Sequence, residues 1–355
     1  MPVSKKPGIK KNADGKSAAA ETGAGKSAAS ATGKTKLGQS AAAKPKPLYA
    51  YVNGRITPAA RAVVSVFDRG LVLGDGLFET VRAWDGRPQF FGLHFKRLSV
   101  SAKRLRIALP MDEAGLERLV KKLCAKSGLA DAVVRITLTR GRYLGGLAID
   151  PALPPTLIVT VAPVSGLPPA LYARGVKVAI SGINKAAASG LDSAIKSTNY
   201  LANIFAKAEA DKRGAYEAIL LGPQGEIAEL STSSFFCVVE GKVLTPPIDT
   251  GILPGITRQI LLRILRREKI PYGEAALFPK EIGMMQEAFL CSSVRGPLPI
   301  TRIEREKIGD GKVGPMFRRL RALYDRECES DASSDAVSLS AAVASSASVS
   351  GKHRV

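Results

Sequence analysis

Histidine is almost absent from this chain: of 355 residues only His94 and His353 carry an imidazole, and the second lies within the last three residues. Ser-His-Asp hydrolysis, Cys-His nucleophilic catalysis and histidine-rich metal sites all need imidazoles brought beside a nucleophile or a metal, so this scarcity nearly excludes them. Cysteine is also sparse. Cys124, Cys237, Cys291 and Cys328 lie far apart with no C-x-x-C spacing, which argues against a disulfide framework and against a zinc site. No uninterrupted apolar run approaches the roughly 20 residues that span a bilayer. The N-terminus lacks the apolar core of a signal peptide and the arginines of a transit peptide, so a soluble, cytoplasmic protein is expected. Chemistry in such a chain must run on Lys, Glu, Tyr, Arg and a cofactor.

Acidic residues are scarce in one place in particular. Between Met1 and Lys46 there are ten lysines against only Asp14 and Glu21. The formal charge of +21 and the pI near 10.0 owe much to this tail. The rest of the excess is spread over expected helices, as at Arg263, Arg266 and Arg267, where solvated faces explain it. Residues 1–47 read as a disordered basic Lys/Ala/Ser tail and 329–355 as a Ser/Ala-rich one, because neither can bury enough apolar surface to fold. Gly25-Lys26-Ser27 and Gly33-Lys34-Thr35 look like ends of phosphate-binding loops, but Ala20 and Ala28 stand where the motif needs glycine and no strand precedes them. The lysine tail motivates a separate reading, a nucleic-acid-binding protein, in which affinity falls steeply with salt and resides in the tail.

Between the tails, 45% hydrophobic content is enough to fill two ordinary domains. Leu48 to Val52 reads as a strand turned by Asn53-Gly54 into Arg55 to Thr57, and Asp85-Gly86 closes another hairpin. Helices are expected over Leu93 to Leu105 and Asp112 to Lys126, and strands over Val133 to Thr139 and Thr156 to Val161. Val164 to Pro169 is the candidate linker between a small domain, 48–165, and a larger one, 166–328. Beyond it come a strand at Val176 to Ile180 and a helix capped by Ser197 or Thr198, with an apolar stripe at Leu201, Ile204, Phe205 and Ala208 and a stop at Gly214. Strands follow at Glu217 to Leu221, Glu226 to Leu230 and Phe235 to Val239. Pro254-Gly255 then opens an amphipathic helix whose N-terminus is a ready anion site. The mixture is α+β in character. Gly74-Asp75-Gly76 starts like a dinucleotide fingerprint, but Glu79 occupies the third glycine position and the reading fails.

Lys196, in Ile195-Lys196-Ser197-Thr198-Asn199-Tyr200, is flanked by apolar residues. Desolvation lowers a lysine's pKa and leaves the nucleophilic free amine that Schiff-base chemistry with an aldehyde cofactor requires. On its own, a lysine exposed at a strand end explains the pattern as well.

Several motifs in order resolve that choice. Gly74-Asp75-Gly76-Leu77-Phe78-Glu79-Thr80, His94-Phe95-Lys96-Arg97-Leu98, Lys196 to Tyr200, Glu229 to Phe236, Leu253 to Arg258, Ser292-Ser293-Val294 and Gly309 to Pro315 together resemble the class IV aminotransferases, the fold-type IV enzymes that use pyridoxal 5′-phosphate. The likeness runs from about Leu48 to Arg326. It implies a two-domain α+β fold with a barrel-like sheet in the larger domain, and a homodimer with the active site completed near the subunit interface. It implies Lys196 as the Schiff-base lysine and proton shuttle, and Glu229 as partner of the pyridine nitrogen. The phosphate cup it implies is Arg97, Ile256, Thr257 and Ser293.

On the substrate side the chain departs from its relatives. Lys196 to Asn199 and Tyr216 to Leu220 look most like D-amino-acid aminotransferases, yet Phe78, Gly145 and Leu147 stand where those enzymes trap the substrate carboxylate with tyrosine, arginine and histidine. Arg135 sits where branched-chain aminotransferases place a substrate-carboxylate arginine. Val294 and Arg295 are further substrate-side candidates, as is Arg142, with Tyr143 a lid residue. Ser293-Val294-Arg295-Gly296 resembles some aminodeoxychorismate lyases. The expected function is therefore amino-group transfer between a branched-chain or related amino acid and a 2-oxo acid such as 2-oxoglutarate. A lyase forming 4-aminobenzoate is the alternative.

Overall fold

The computed structural model describes residues 47–142, 145–165, 168–184 and 192–331. The expectations for the basic tail, for Tyr143 and for most of the Ser/Ala-rich tail lie outside the described residues.

Six strands form the first sheet: β1 Tyr49–Val52, β2 Arg55–Pro58, β3 Gly76–Trp84, β4 Arg87–Pro88, β5 Ala132–Thr139 and β6 Thr156–Pro163. They pair antiparallel throughout in the order β2-β1-β6-β5-β3-β4. Both expected hairpin turns have positive φ at both central residues, 42° and 88° at Asn53-Gly54 and 49° and 71° at Asp85-Gly86, the twist that matches the flanking strands. Side chains alternate across a strand. On β3 and β5 one face carries Leu77, Val81, Val134, Ile136 and Leu138, packed with Leu98, Leu116 and Leu123 of the helices Phe91–Leu105 and Glu113–Ser127. The opposite face carries Phe78, Thr80 and Arg135, with Thr80 directly across from Arg135. That face lines the cavity described below.

The second sheet has nine strands: β7 Val176–Asn184, β8 Glu217–Leu221, β9 Ile227–Leu230, β10 Ser234–Val239, β11 Lys242–Thr245, β12 Tyr272–Glu274, β13 Glu287–Ser292, β14 Gly296–Ile303 and β15 Glu306–Lys307. Its order is β12-β11-β10-β13-β14-β7-β8-β9, with β15 on β14; β7 pairs parallel to β8 and β14, and β11 to β12. Every residue of β9 is buried, and all but the last of β8, β10 and β13. Covered on both faces, these strands read as apolar runs rather than as alternation. One face holds Ile219, Phe235 and Leu290. The other packs Phe236 and Phe289, rings stacked 5.1 Å apart, against the helices Ile256–Arg267 and 315–331.

One expectation needs correction. The helix Leu201–Lys212 is not capped by Ser197 or Thr198: Tyr200 is its N-cap and supplies no side-chain bond, because the Thr198 hydroxyl is used elsewhere. Its apolar stripe faces outward. Leu201, Ile204 and Phe205 are 57 to 64% exposed, while Ala206 and Ala210 are the residues that pack inward. The last helix, 315–331, is tied at its end by the Asp331 carboxylate accepting from the Phe90 N–H at 2.7 Å. Among the described residues no helix is long and apolar enough to cross a membrane. Nor does any group of three or more His, Cys, Asp or Glu there suit a metal ion.

Candidate active site

The start of β3 holds the lysine segment as a short added strand. The Phe78 N–H donates to the Lys196 carbonyl and the Thr198 N–H to the Gly76 carbonyl, both at 2.9 Å, and Leu77 bridges Ser197. The Thr198 hydroxyl donates to the Gly74 carbonyl at 2.7 Å. This contact explains Gly74-Asp75-Gly76 without any nucleotide. Gly74 has φ +67°, and a Cβ there would stand 2.1 Å from Asn199 Oδ1, so only glycine permits so close an approach. Asp75 accepts from both Arg69 and Arg140, and Arg140 also donates to the carbonyls of Leu105 and Arg106 at the end of a helix. The segment that positions Lys196 is thereby fastened to the first sheet.

The amine points into a cavity of about 310 Å³ between the two sheets. Lys196 Nζ donates to the Tyr200 hydroxyl at 3.2 Å and lies 4.6 Å from the centre of the Phe78 ring. Its pKa is lowered to about 8, by burial first and by the Arg97 guanidinium second, with Glu79 and Glu229 opposing. At neutral pH an appreciable fraction is therefore the free amine. Tyr200 is pushed up to about 12 by burial and then by the Glu229 carboxylate, so its hydroxyl keeps its proton.

One part of the cavity is built for an anion. Arg97 reaches it from the helix Phe91–Leu105, held by a fork to Glu79: Nε donates to Oε1 and a terminal nitrogen to Oε2, both at 2.7 Å. The other terminal nitrogen donates to the Pro254 carbonyl at 2.8 Å. Three of the five guanidinium N–H groups are thus used for positioning and two remain. Glu79 is fully buried and also contacts His94 Nδ1 at 2.8 Å. Burial alone would raise its pKa, but Arg97 and His94 more than offset this and hold the carboxyl well below the usual range. Burial lowers His94, leaving it neutral although Glu79 opposes. Beside Arg97, Pro254-Gly255 delivers the N-terminus of the helix Ile256–Arg267. Gly255 is the N-cap with no side-chain acceptor, so the first-turn N–H groups of Ile256 and Thr257 need another partner. The cradle is tight: a Cβ on Gly255 would stand 2.6 Å from Ser234 Oγ.

Glu229 enters from β9, buried, and accepts from the Leu253 N–H at 3.0 Å. Ser293 and Val294 line the cavity from the turn between β13 and β14. Arg135 lines it from β5 with its guanidinium 3.7 Å from the Phe78 ring centre. Burial lowers the Arg135 pKa against the opposing Tyr200 hydroxyl, and the guanidinium stays a cation. Arg295 is differently placed from a free substrate-binding cation. It donates to Ser292 Oγ, to the Tyr216 hydroxyl, to Thr232 Oγ1 and to the buried carboxylate of Glu217. Arg142 is exposed and bridges Asp68, and Leu147 is 78% exposed. The cavity wall thus gathers Phe78, Arg97, Arg135, Lys196, Glu229 and Ile256, together with Thr257 and the turn residues 293–295, from segments spread over more than 200 positions. Among the contributors not singled out from sequence are Tyr200 and Leu253 in the wall and Glu79 and Glu217 behind it. Tyr200 was findable, since i and i+4 side chains can meet; Glu79 and Glu217 act through partners 18 and 78 residues away.

The amino-transferase class IV family matches residues 76–303. A protein of Methanocaldococcus jannaschii assigned as a branched-chain-amino-acid aminotransferase is 33% identical over 276 residues, 77% of this chain and 94% of that one. The D-alanine aminotransferase of Staphylococcus haemolyticus is 31% identical, over 80% of this chain and 99% of its own. Among solved structures, the branched-chain amino acid aminotransferase of Escherichia coli superposes with a TM-score of 0.74 at 26% identity, over 78% of this chain and 93% of that one.

Proposed function

Because this chain belongs to the class IV aminotransferases and is a pyridoxal-phosphate-dependent enzyme of that class, we propose that it moves an amino group between a branched-chain or related amino acid and a 2-oxo acid such as 2-oxoglutarate. The observation that carries the reading is the depressed Lys196 amine in one cavity with an anion cradle, a buried carboxylate and a substrate-side arginine.

The residues present fit pyridoxal phosphate by the chemistry of their donors. Arg97, the N–H groups of Ile256 and Thr257, the Thr257 hydroxyl and Ser293 would hold the phosphate. Glu229 would keep the pyridine nitrogen protonated. Bound in this way, the cofactor supplies an electron-withdrawing ring that spreads the negative charge developing at the substrate carbon. Lys196 Nζ is the base that takes the proton from that carbon and returns it, which its lowered pKa suits. Tyr200 holds the amine in line through its hydroxyl. Arg135, braced on the Phe78 ring, would pair with a substrate carboxylate, and Phe78 and Val294 form apolar walls beside the reacting carbon.

A homodimer accounts for the exposed apolar side chains. Phe67 and Leu71 lie on one segment and Leu201, Ile204 and Phe205 on another, each more than half exposed, and the two segments meet where Gly74 approaches Asn199. An apolar patch of this kind marks an association surface.

Purified enzyme with L- and D-amino donors and 2-oxoglutarate should form glutamate, and borohydride reduction should leave the pyridoxyl group on Lys196 in a peptide map. Formation of 4-aminobenzoate from aminodeoxychorismate without glutamate would select the lyase instead. Label on any lysine other than Lys196 would overturn the site.

A further inference from the structure

A second cavity of about 850 Å³ adjoins the first, walled in part by Arg82, Trp84, Arg321 and Tyr324. Ser293 and Arg295 line both. Of these two shared residues Arg295 carries the long side chain. It is pinned at both ends. Its carbonyl accepts from the Tyr172 hydroxyl at 2.9 Å and from Arg321 at 3.3 Å, while its guanidinium reaches across to Ser292, Tyr216, Thr232 and Glu217.

We propose that Arg295 is a specificity-determining residue, the partition that closes the cofactor cavity off from the larger one and so caps the size of substrate side chain the enzyme accepts. The size-selection part rests on the aminotransferase reading; the partition itself does not. A cavity of about 310 Å³ lies at the small end for ligand sites, so a cofactor leaves room beside it only for a short side chain. The larger cavity that shares Arg295 with it is where an aryl side chain would find space.

Glu217 decides whether the partition is separable from the fold. A buried carboxylate stripped of its only partner would be strongly destabilising. Glu217 also accepts from Ser231 Oγ at 3.2 Å, the Thr232 N–H at 2.5 Å, Thr232 Oγ1 at 2.6 Å and Ser233 Oγ at 3.0 Å. Those four donors stay when Arg295 is shortened, so the carboxylate remains satisfied.

Trp84 is the only tryptophan of the chain and it lines the second cavity, which makes the test optical. Pyridoxal-phosphate-loaded wild type, Arg295→Ser and Arg295→Met are titrated with 4-(4-nitrophenyl)butyrate, an unreactive carboxylate whose nitroaryl group quenches indole, with butyrate as control. Wild type and Arg295→Met, which keeps the bulk without the charge, should show only weak quenching linear in probe. Arg295→Ser should show saturable quenching that butyrate does not produce. In turnover, the kcat/KM of L-homophenylalanine relative to L-norvaline should rise about tenfold or more in Arg295→Ser and stay near the wild-type ratio in Arg295→Met, the scale by which a pocket of changed size discriminates. Saturable quenching in wild type, none in Arg295→Ser, or equal behaviour of Ser and Met overturns the partition. So does loss of the cofactor or of the fold in Arg295→Ser, since a partition must be removable from both. Absence of turnover in wild type would defeat the aminotransferase reading alone, because the fluorescence arms do not depend on it.

Discussion

Lys196 suits its proposed role as base because of where it sits: burial and the nearby Arg97 bring its pKa to about 8, against about 10.4 for a free lysine. The rate at which apo-protein captures pyridoxal phosphate should rise with pH, with a midpoint near 8 when followed by absorbance. The sign for stability is the same. Between about 8 and about 10.4 the unfolded chain holds a proton the folded one does not, so this lysine makes the apo-protein more stable as pH rises through that window and less stable as pH falls through 8. Arg97 presents the opposite problem, since Glu79 is buried against it. Arg97→Ala leaves that carboxylate with His94 alone, and urea unfolding should show a loss on the order of 3 to 5 kcal/mol, alongside weakened cofactor binding. The double variant Arg97→Met/Glu79→Leu should be less destabilised than Arg97→Ala, because it strands no charge. Both residues of this pair were present in recognised motifs, but only Arg97 drew attention from sequence: a carboxylate inside a strand carries no local mark that its partner is a helix away.

Between neighbouring elements, two short backbone contacts decide whether the side chains meet. The lysine segment is held on β3 by close approach at Gly74, so Gly74→Ala meets both its positive φ and the 2.1 Å contact with Asn199. The φ cost is about 1 to 2 kcal/mol, and the contact adds to it. Thermal unfolding should show Gly74→Ala destabilised by more than that, with Asn199→Ala in the same chain recovering the steric part only. At the other contact, the helix Ile256–Arg267 offers its N-terminus at Gly255. If the Thr257 hydroxyl holds the phosphate as proposed, Thr257→Val takes one hydrogen bond to a charged group, about 1.5 to 3 kcal/mol. Equilibrium dialysis should register this as roughly ten- to a hundredfold weaker cofactor binding. The helix itself was legible, from Pro254-Gly255 before an amphipathic repeat; its target was not, because the acceptor is a cavity assembled from both sheets. Thr198 shows the reverse case. Its position before a helix marks it as a cap, and the structure spends its hydroxyl on the Gly74 carbonyl instead.

At the scale of the whole molecule, the stripe of Leu201, Ile204 and Phe205 points outward, and a second subunit is its proposed cover. Sedimentation equilibrium should find a dimer, and Ile204→Glu/Phe205→Glu should shift it to monomer with loss of activity; a wild-type monomer would remove that proposal. Periodicity alone identified this stripe as apolar but could not say whether its cover was the chain's own core or a partner. Hairpins at Asn53-Gly54 and Asp85-Gly86, the two helices that follow the second of them, and the strands at 176–180, 217–221, 226–230 and 235–239 were readable in order, since turn chemistry and side-chain period are local properties; the buried strands Glu287–Ser292 and Gly296–Ile303 were not. Lys196, Glu229, Arg97 and the 254–257 segment were readable as a set because their motifs are short and contiguous. What only the tertiary structure decided was mutual placement. Arg135 and Arg295 are both arginines near the cofactor motifs, yet the pleat of β5 turns one toward the cavity beside Phe78, and Glu217, 78 residues away, ties the other into a wall. The reason is physical: residue type and local period set what a side chain can do, whereas its charge partner, its burial and therefore its pKa depend on segments that folding alone brings together.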